Sequence, residues 1–453
     1  MAMEIKLPAS LKKDSSIVII GAGTWGTAIA YRLAKRGYTK VTVLDSYEFP
    51  SAVAAGNDVN KILEEAYEPP SQDQDDRSYA WAVIEHMATK IWKDDPVYSA
   101  HYHNTGFIYA AVGDDAYAKV KESCDKTPEI YEPLEDAAAI KATAPDGVFK
   151  GDFDGWRGYI RRNTAGWVEA RDTIIDTHAE ATKMGVKFIC DPVKGKVLRF
   201  LYSDAGDVTG AMTADIVKHE AHTTILAAGA SSSSLLDFQD QLRPTAWTLA
   251  HVALTQEEIQ SGAYNELPVL YGVDKGFFIS PPKSEFAAGT PELKICNEHP
   301  GFIHLVSDGI SRFPKPAVMQ RHAIPLPAAE DMRSFLRGTL PHLADRPLLR
   351  PRLCWDADTP DRLFLLSRHP RHPSLFIAAG GSGNGFMYSP AVGMLVVDLI
   401  EGQVEDRLAK TLGWRPETAE ERDWFDVQGR YGGTGKVVDL KAFKDDEWTS
   451  GTG

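Results

Sequence analysis

The chain has 453 residues, a formal net charge of −14 and an ordinary 43% hydrophobic content. Its length allows a sizeable core and about three domain-sized units, while its acidity repels phosphate backbones and anionic lipid, which argues against nucleic acid and membrane partners. Four cysteines, Cys124, Cys190, Cys296 and Cys354, are scattered without a CxxC pair; no metal site or disulfide framework is expected, and a reducing compartment fits.

In chain order, Ser16 to Ile20 (SIVII) reads as a short strand buried on both faces. The glycine loop Gly21-Ala22-Gly23-Thr24-Trp25-Gly26 follows, then a helix from Thr27 to Arg36 that Gly37 is placed to end. Lys40 to Leu44 is a second strand closed by Asp45, which completes a βαβ unit. Residues 51–154 are rich in charge, aromatics and helix formers without strand–helix alternation. Residues 164–185 read as one long amphipathic helix and 186–190 as a strand. His222 to Ala228 is a buried strand running into Gly229 and a serine run, read as a turn against a ligand. Strand-like patches such as 276–280 punctuate a mixed stretch. Leu375 to Ala379 is a late buried strand that enters Gly380-Gly381-Ser382-Gly383-Asn384-Gly385, and Ala391 to Glu401 is a helix.

Nucleotide-fold pieces therefore stand at the start, middle and end of the chain. The predicted fold is an α/β, Rossmann-like FAD-binding domain from residues 1–60, 155–240 and 345–417. An α+β substrate domain is interleaved with it, from 61–154 and 241–344, and a charged surface tail covers 418–453. No run of 18 or more apolar residues predicts a membrane helix. No secretory or peroxisomal signal is recognisable, so a cytoplasmic monomer is expected.

Gly21, Gly23 and Gly26 fit GxGxxG, with Thr24 and Trp25 inside it. The first glycine permits the tight turn, the second admits a pyrophosphate, and the third lets helix and strand pack closely. Asp45 is placed to hydrogen-bond a ribose and disfavours a 2′-phosphate. This unit alone does not choose between NAD and FAD. Gly229 and the loop at Gly380, Gly381, Gly383 and Gly385 suggest two further backbone approaches to one extended ligand, which points to FAD.

The segment from Arg352 to Asp361 (RLCWDADTPD), followed by Arg368-His369-Pro370, resembles the covalent-flavin segment of the monomeric sarcosine oxidase family. GAGTWG, Ala55-Gly56-Asn57-Asp58, Lys275-Gly276-Phe277-Phe278 and the run from Lys294 to Pro300 (KICNEHP) match its fungal branch, the fructosyl amino acid and fructosyl peptide oxidases, or amadoriases. The peptide oxidases look most similar, and the resemblance spans about residues 16–416.

That resemblance implies a thioether between Cys354 and the flavin ring. Arg352 is a neighbour able to favour a thiolate, and a buried structural cysteine is the alternative. It matches Lys275 to the lysine that activates dioxygen, a role for which a fixed cation lowers the barrier to electron transfer. It sets Asn57 and Asp58 on a segment crossing near flavin and substrate, as a polar or proton-relay route; an ordinary turn is the alternative. Lys61 is a candidate for the substrate's acidic end. Phe386 and Met387 join the cofactor contacts and Asn384 the substrate contacts. Arg415, in Trp414-Arg415-Pro416, matches an arginine that meets the substrate carboxylate.

Two departures stand out. Ser280 occupies a position where amino-acid-preferring members carry glutamate, and Met387 one where they carry lysine. Their loss suits an α-N-glycated residue or short peptide. The implied reaction oxidises the secondary amine of an Amadori compound such as fructosyl valine or fructosyl valyl-histidine. The imine hydrolyses to glucosone and free amine, and dioxygen is reduced to hydrogen peroxide. Activity should rise with pH as the substrate amine loses its proton. The alternatives are a sarcosine-type N-methyl amino acid oxidase, a flavin-binding scaffold without turnover, and an NAD-dependent dehydrogenase.

Overall fold

The structure, a computed structural model, describes residues 11–279, 291–306, 322–420, 422–424 and 436–450; at 277–279 and 298–300 only the backbone is described. Its first layer is built from short β-branched runs. β1 (Ser16–Ile20) lies parallel between β2 (Lys40–Asp45) and Thr223–Leu226. Side chains alternate across it. Ile17 and Ile19 enter a core shared with α1 (Thr24–Lys35) and the helix Ser389–Glu401. Val18 and Ile20 enter another, shared with the small sheet of Val197–Tyr202 and Val208–Thr213. Covering both faces is what makes the run continuously apolar. The six-stranded order is Leu365–His369, His372–Ala379, Thr223–Leu226, β1, β2, Lys187–Cys190. α1 starts at Thr24 rather than Thr27, because the last glycine of the loop is already helical, and Gly37 ends the turn with φ +84°.

Among the described residues the second sheet has nine strands, eight along one path and Val438–Asp439 beside it on Glu292–Ile303. Its path runs Leu349–Asp358, Arg243–Ala253, Glu292–Ile303, Gly276–Ile279, Val269–Gly272, Phe107–Ala111, Arg157–Arg161, Glu132–Leu134. The helix Leu326–Thr339 packs its apolar residues on one face. β3 (Asn60–Glu64) belongs to a separate three-stranded sheet with Ala165–Glu169 and Tyr102–His103. No helix among the described residues is long and apolar enough to cross a membrane.

Three sequence expectations are corrected. Residues 164–185 are not one helix: Ala165–Glu169 is a strand on β3 and the helix is Ala170–Lys183. Burial of Trp167 and Val168, at 1% and 0% exposure, overrides the local helical pattern. Leu349–Asp358 and Arg157–Arg161, assigned to the nucleotide-binding segments, pair instead within the second sheet. The tail does more than wrap the surface. Val438–Asp439 adds a parallel strand to Glu292–Ile303, and Leu440 is buried against Phe302.

Candidate active site

A cavity of about 1000 Å³ is lined by residues of both large sheets and of β3. The first glycine loop forms part of its wall. Gly21 has φ +109°, and a Cβ there would stand 2.4 Å from the Ala227 carbonyl oxygen. A Cβ on Gly26 would stand 1.8 Å from the Gly21 oxygen, so the third glycine is fixed by helix–strand packing. A Cβ on Gly23 would meet nothing within 4 Å. Gly23 is also the N-cap of α1, with no side chain capping the helix. Unpaired N–H groups beside open space fit a pyrophosphate.

Asp45 lines the same cavity and accepts hydrogen bonds from Ala22 N–H at 2.7 Å and Tyr47 N–H at 3.0 Å. Burial raises its pKa despite those donors. Its carboxylate thus buttresses the loop at the cavity wall. Gly229, with φ +52°, opens a short 3-10 turn whose Ser231 and Ser234 face the cavity. The C-terminal loop brings Gly380, Gly381, Gly383, Asn384, Gly385, Phe386 and Met387 to the wall. Trp25 Nε1 donates to the Gly385 carbonyl at 2.7 Å, which ties the first loop to the last. Three glycine segments from distant sequence meet at one elongated site, and the donors present fit FAD.

Two substitutions separate packing from binding here. Gly23→Ala is expected to melt within a few degrees of wild type but to retain less than about a tenth of its flavin, read from the 450 to 280 nm absorbance ratio. Gly26→Ala is expected to lose both, since its Cβ meets backbone. Normal flavin content in both variants would refute this reading of the loop.

Cys354 is 9% exposed and lines the cavity. Alternation on its strand also turns Asp356 to the cavity and Arg352 towards Asp58, while Leu353 joins an apolar cluster. Asp356 accepts a hydrogen bond from Gly383 N–H, joining the cysteine strand to the C-terminal glycine loop.

Beside Cys354 lies a charge cluster that the sequence only half revealed. Asp58 is 1% exposed. Its Oδ2 is 2.8 Å from Lys61 Nζ and 2.7 Å from Lys294 Nζ. Arg352 and His251 approach Oδ1, each at 3.7 Å. Burial works to raise the Asp58 pKa, but Lys294 and Lys61 hold it well below the carboxylate range. Burial also lowers both lysines. Asp58 more than offsets this for Lys61, whereas Lys294 stays below its ordinary value with Lys61 beside it. One carboxylate facing two lysines and an arginine leaves the site with excess positive charge.

Lys294 was missed as a functional residue, and its signal was present. Glu292-Leu293-Lys294-Ile295-Cys296 alternates polar and apolar, which ordinarily means one face in water. Here Leu293 and Ile295 enter the core, and the polar face is the active-site face. Lys275 is not at the cavity. It is exposed, in the turn between Val269–Gly272 and Gly276–Ile279, because the strand begins only at Gly276. Cys296, also unforeseen, lines the cavity.

The remaining candidates divide. Lys61 and Asn384 line the cavity. Asn57 braces the preceding loop, donating to the Ser51 carbonyl at 3.0 Å and accepting from Arg171 at 3.0 Å. Arg415 is away from the cavity; it clasps Asp361 at 2.8 and 3.0 Å and donates to the Leu363 carbonyl at 2.7 Å. In this structure Arg415 is engaged in a partly buried ion pair with Asp361. Ser280 lies outside the described residues.

Known proteins share this architecture. The family described as FAD dependent oxidoreductase matches residues 16–399. Among solved structures, amadoriase I (fructosyl amine: oxygen oxidoreductase) of Aspergillus fumigatus is 45% identical with a TM-score of 0.90, covering 98% of this chain and 99% of that one. The deglycating fructosamine oxidase amadoriase II of the same organism is 40% identical, TM-score 0.87, covering 97% and 98%. Fructosyl peptide oxidase of E. terrenum is 26% identical, TM-score 0.82, covering 96% and 98%. The identities thus run higher to these amine oxidases than to that peptide oxidase, the reverse of the expected order. L-saccharopine oxidase of Schizosaccharomyces pombe is 26% identical over 96% of this chain and 99% of its own. The chain belongs to the FAD-dependent oxidoreductase family, and within it to the amadoriases.

Proposed function

We propose that this protein oxidises the secondary amine of Amadori compounds, fructosyl amino acids and short fructosyl peptides. The observation that carries the reading is the Lys61–Asp58–Lys294 cluster beside Cys354 in a cavity that also holds the glycine cradle. When bound, FAD would supply the acceptor for a hydride equivalent from the carbon that bears this nitrogen, leaving an imine, and its reoxidation by dioxygen would give hydrogen peroxide. Lys294 supplies fixed positive charge where negative charge develops, in a site that needs no reorganisation. Asp58 holds both ammonium groups in place, and Lys61 is available to a substrate carboxylate. Asp45 takes the ribose, and Cys354 tethers the flavin through its sulfur. Neutral Met387 leaves that part of the wall without a charged anchor.

The direct test is anaerobic reduction by fructosyl valine followed by peroxide release in air. Bleaching by sarcosine but not by fructosyl valine would move the assignment to N-methyl amino acid oxidation. The tether has its own test. In acid, flavin colour is expected to stay with precipitated wild type and to pass wholly to the supernatant from Cys354→Ser. Four free cysteines suit a reducing compartment. We place the protein in the cytoplasm as a monomer, which light scattering on the purified holoenzyme checks for assembly state.

A further inference from the structure

β3 carries a second ionisable side chain into the cavity wall, three residues beyond Lys61. Glu64 lines the cavity, as do Phe107, Tyr109 and Tyr271, and the Tyr109 ring packs against the other two. Tyr109 donates its hydroxyl hydrogen to Glu64 Oε1 at 2.8 Å. Oε2 lies 3.9 Å from Arg161 Nη1, too far for a hydrogen bond. Arg161 instead directs Nε to Thr164 Oγ1 at 2.6 Å and Nη2 to the Glu65 carbonyl at 2.5 Å. The Glu64 side chain keeps 19% exposure. One oxygen is therefore oriented by a tyrosine, and the other lacks a close donor from Arg161. Burial raises its pKa, only partly offset by Arg161. Behind it, burial and the charge of Glu64 push Glu85 up to about 7. Such a carboxylate is best relieved by a donor that is itself charged.

The charges along β3 are opposed. Lys61, with Lys294, makes a cationic pole beside Cys354; Glu64 is an anionic pole about 10 Å along the strand, at roughly 3.3 Å per residue. The flavin chemistry belongs at the first pole. The second lines the same cavity as the aromatic side chains of Phe107, Tyr109 and Tyr271.

We infer that Glu64 is a specificity residue that binds a second, free ammonium carried on the substrate's amine-borne arm, so that glycated diamines are preferred over glycated amines with a neutral or acidic arm. This rests on the proposed oxidation of Amadori compounds and refines it. An ammonium there donates to Oε2, and the neighbouring rings cover the methylene chain. A carboxylate there faces Glu64 across an apolar wall and is rejected.

Three substrates of nearly equal size test this: the N-fructosyl derivatives of 1,4-diaminobutane, butylamine and 4-aminobutyrate. Wild-type kcat/KM is expected to fall in that order, with the diamine favoured over butylamine by about tenfold or more. Glu64→Gln is expected to lower the diamine value by about 10- to 100-fold and to leave butylamine within about threefold. Flavin content and melting temperature confirm that the variant is folded; should it not fold, the wild-type order decides alone. Equal wild-type values, a reversed order, or an equal loss for all three in Glu64→Gln would overturn the inference while leaving the proposed oxidation intact. Failure of wild type to oxidise any of the three, or fructosyl valine, would overturn both.

Discussion

A Lys294→Met variant is expected to bind flavin and to be reduced by substrate at a near-normal rate, but to be reoxidised by dioxygen about 10²- to 10³-fold more slowly. The lysine is 1% exposed, and its Nζ sits 2.7 Å from Asp58 and 2.9 Å from the Asn60 carbonyl. It is thus a buried cation held by two fixed partners, where solvent screens its charge little. Methionine fills similar volume without charge, so packing is largely kept. Stopped-flow mixing of the reduced enzyme with oxygenated buffer isolates this step. Lys275→Met is the matched control. Lys275 is exposed in a turn, and its loss should change the rate by no more than about twofold. A slow Lys275 variant beside a normal Lys294 variant would return the oxygen chemistry to the lysine that sequence comparison favoured.

Asp58→Asn should have the largest effect on stability. It leaves Lys61 and Lys294 facing each other without their shared counter-charge, and breaking a buried pair this way costs about 3–5 kcal/mol. The pH dependence follows from the direction of the shift. The folded-state pKa of Asp58 is depressed. Its stabilisation is therefore fully present above the unfolded value of about 3.9 and is lost as pH falls through the lower folded value. The gap in melting temperature between wild type and variant should be constant from about pH 5 up to the pH at which the variant's Lys294 begins to lose its proton, narrow above that, and close below about pH 4. A second consequence is functional. Lys294 already titrates below its ordinary value through burial, and removing Asp58 lowers it further. Reoxidation of the variant should then slow as pH rises and the ammonium is lost, whereas wild type holds its rate to higher pH. Equal melting temperatures at pH 7 would show that the cluster is not the buried, coupled unit described above.

The nucleotide half of the molecule was legible because its signals are local. A buried strand, a glycine turn, a helix and an acid at the end of the next strand are consecutive, and each has one physical reason to be there. Gly26 is required by an atom five residues away, and Asp45 accepts from Ala22 N–H within the same βαβ unit. Errors came where pairing partners lie far apart. Ala165–Glu169 reads as helix until β3, about a hundred residues earlier, pairs with it. Arg415 reads as a ligand contact until Asp361, 54 residues away, is found to hold it.

By itself the sequence determined the dinucleotide loop and the recurrence of glycine segments that extends it to FAD. Only the tertiary structure decided which cation stands at the site. Lysine is read as solvated wherever it alternates with apolar residues, and that reading is correct for a strand with one face in water. Glu292–Ile303 instead lies between Arg243–Ala253 and Gly276–Ile279, with Asp58 set against its polar face. The same alternation that would place Lys294 in solvent places it in the active site, because what covers that face comes from residues more than two hundred positions away.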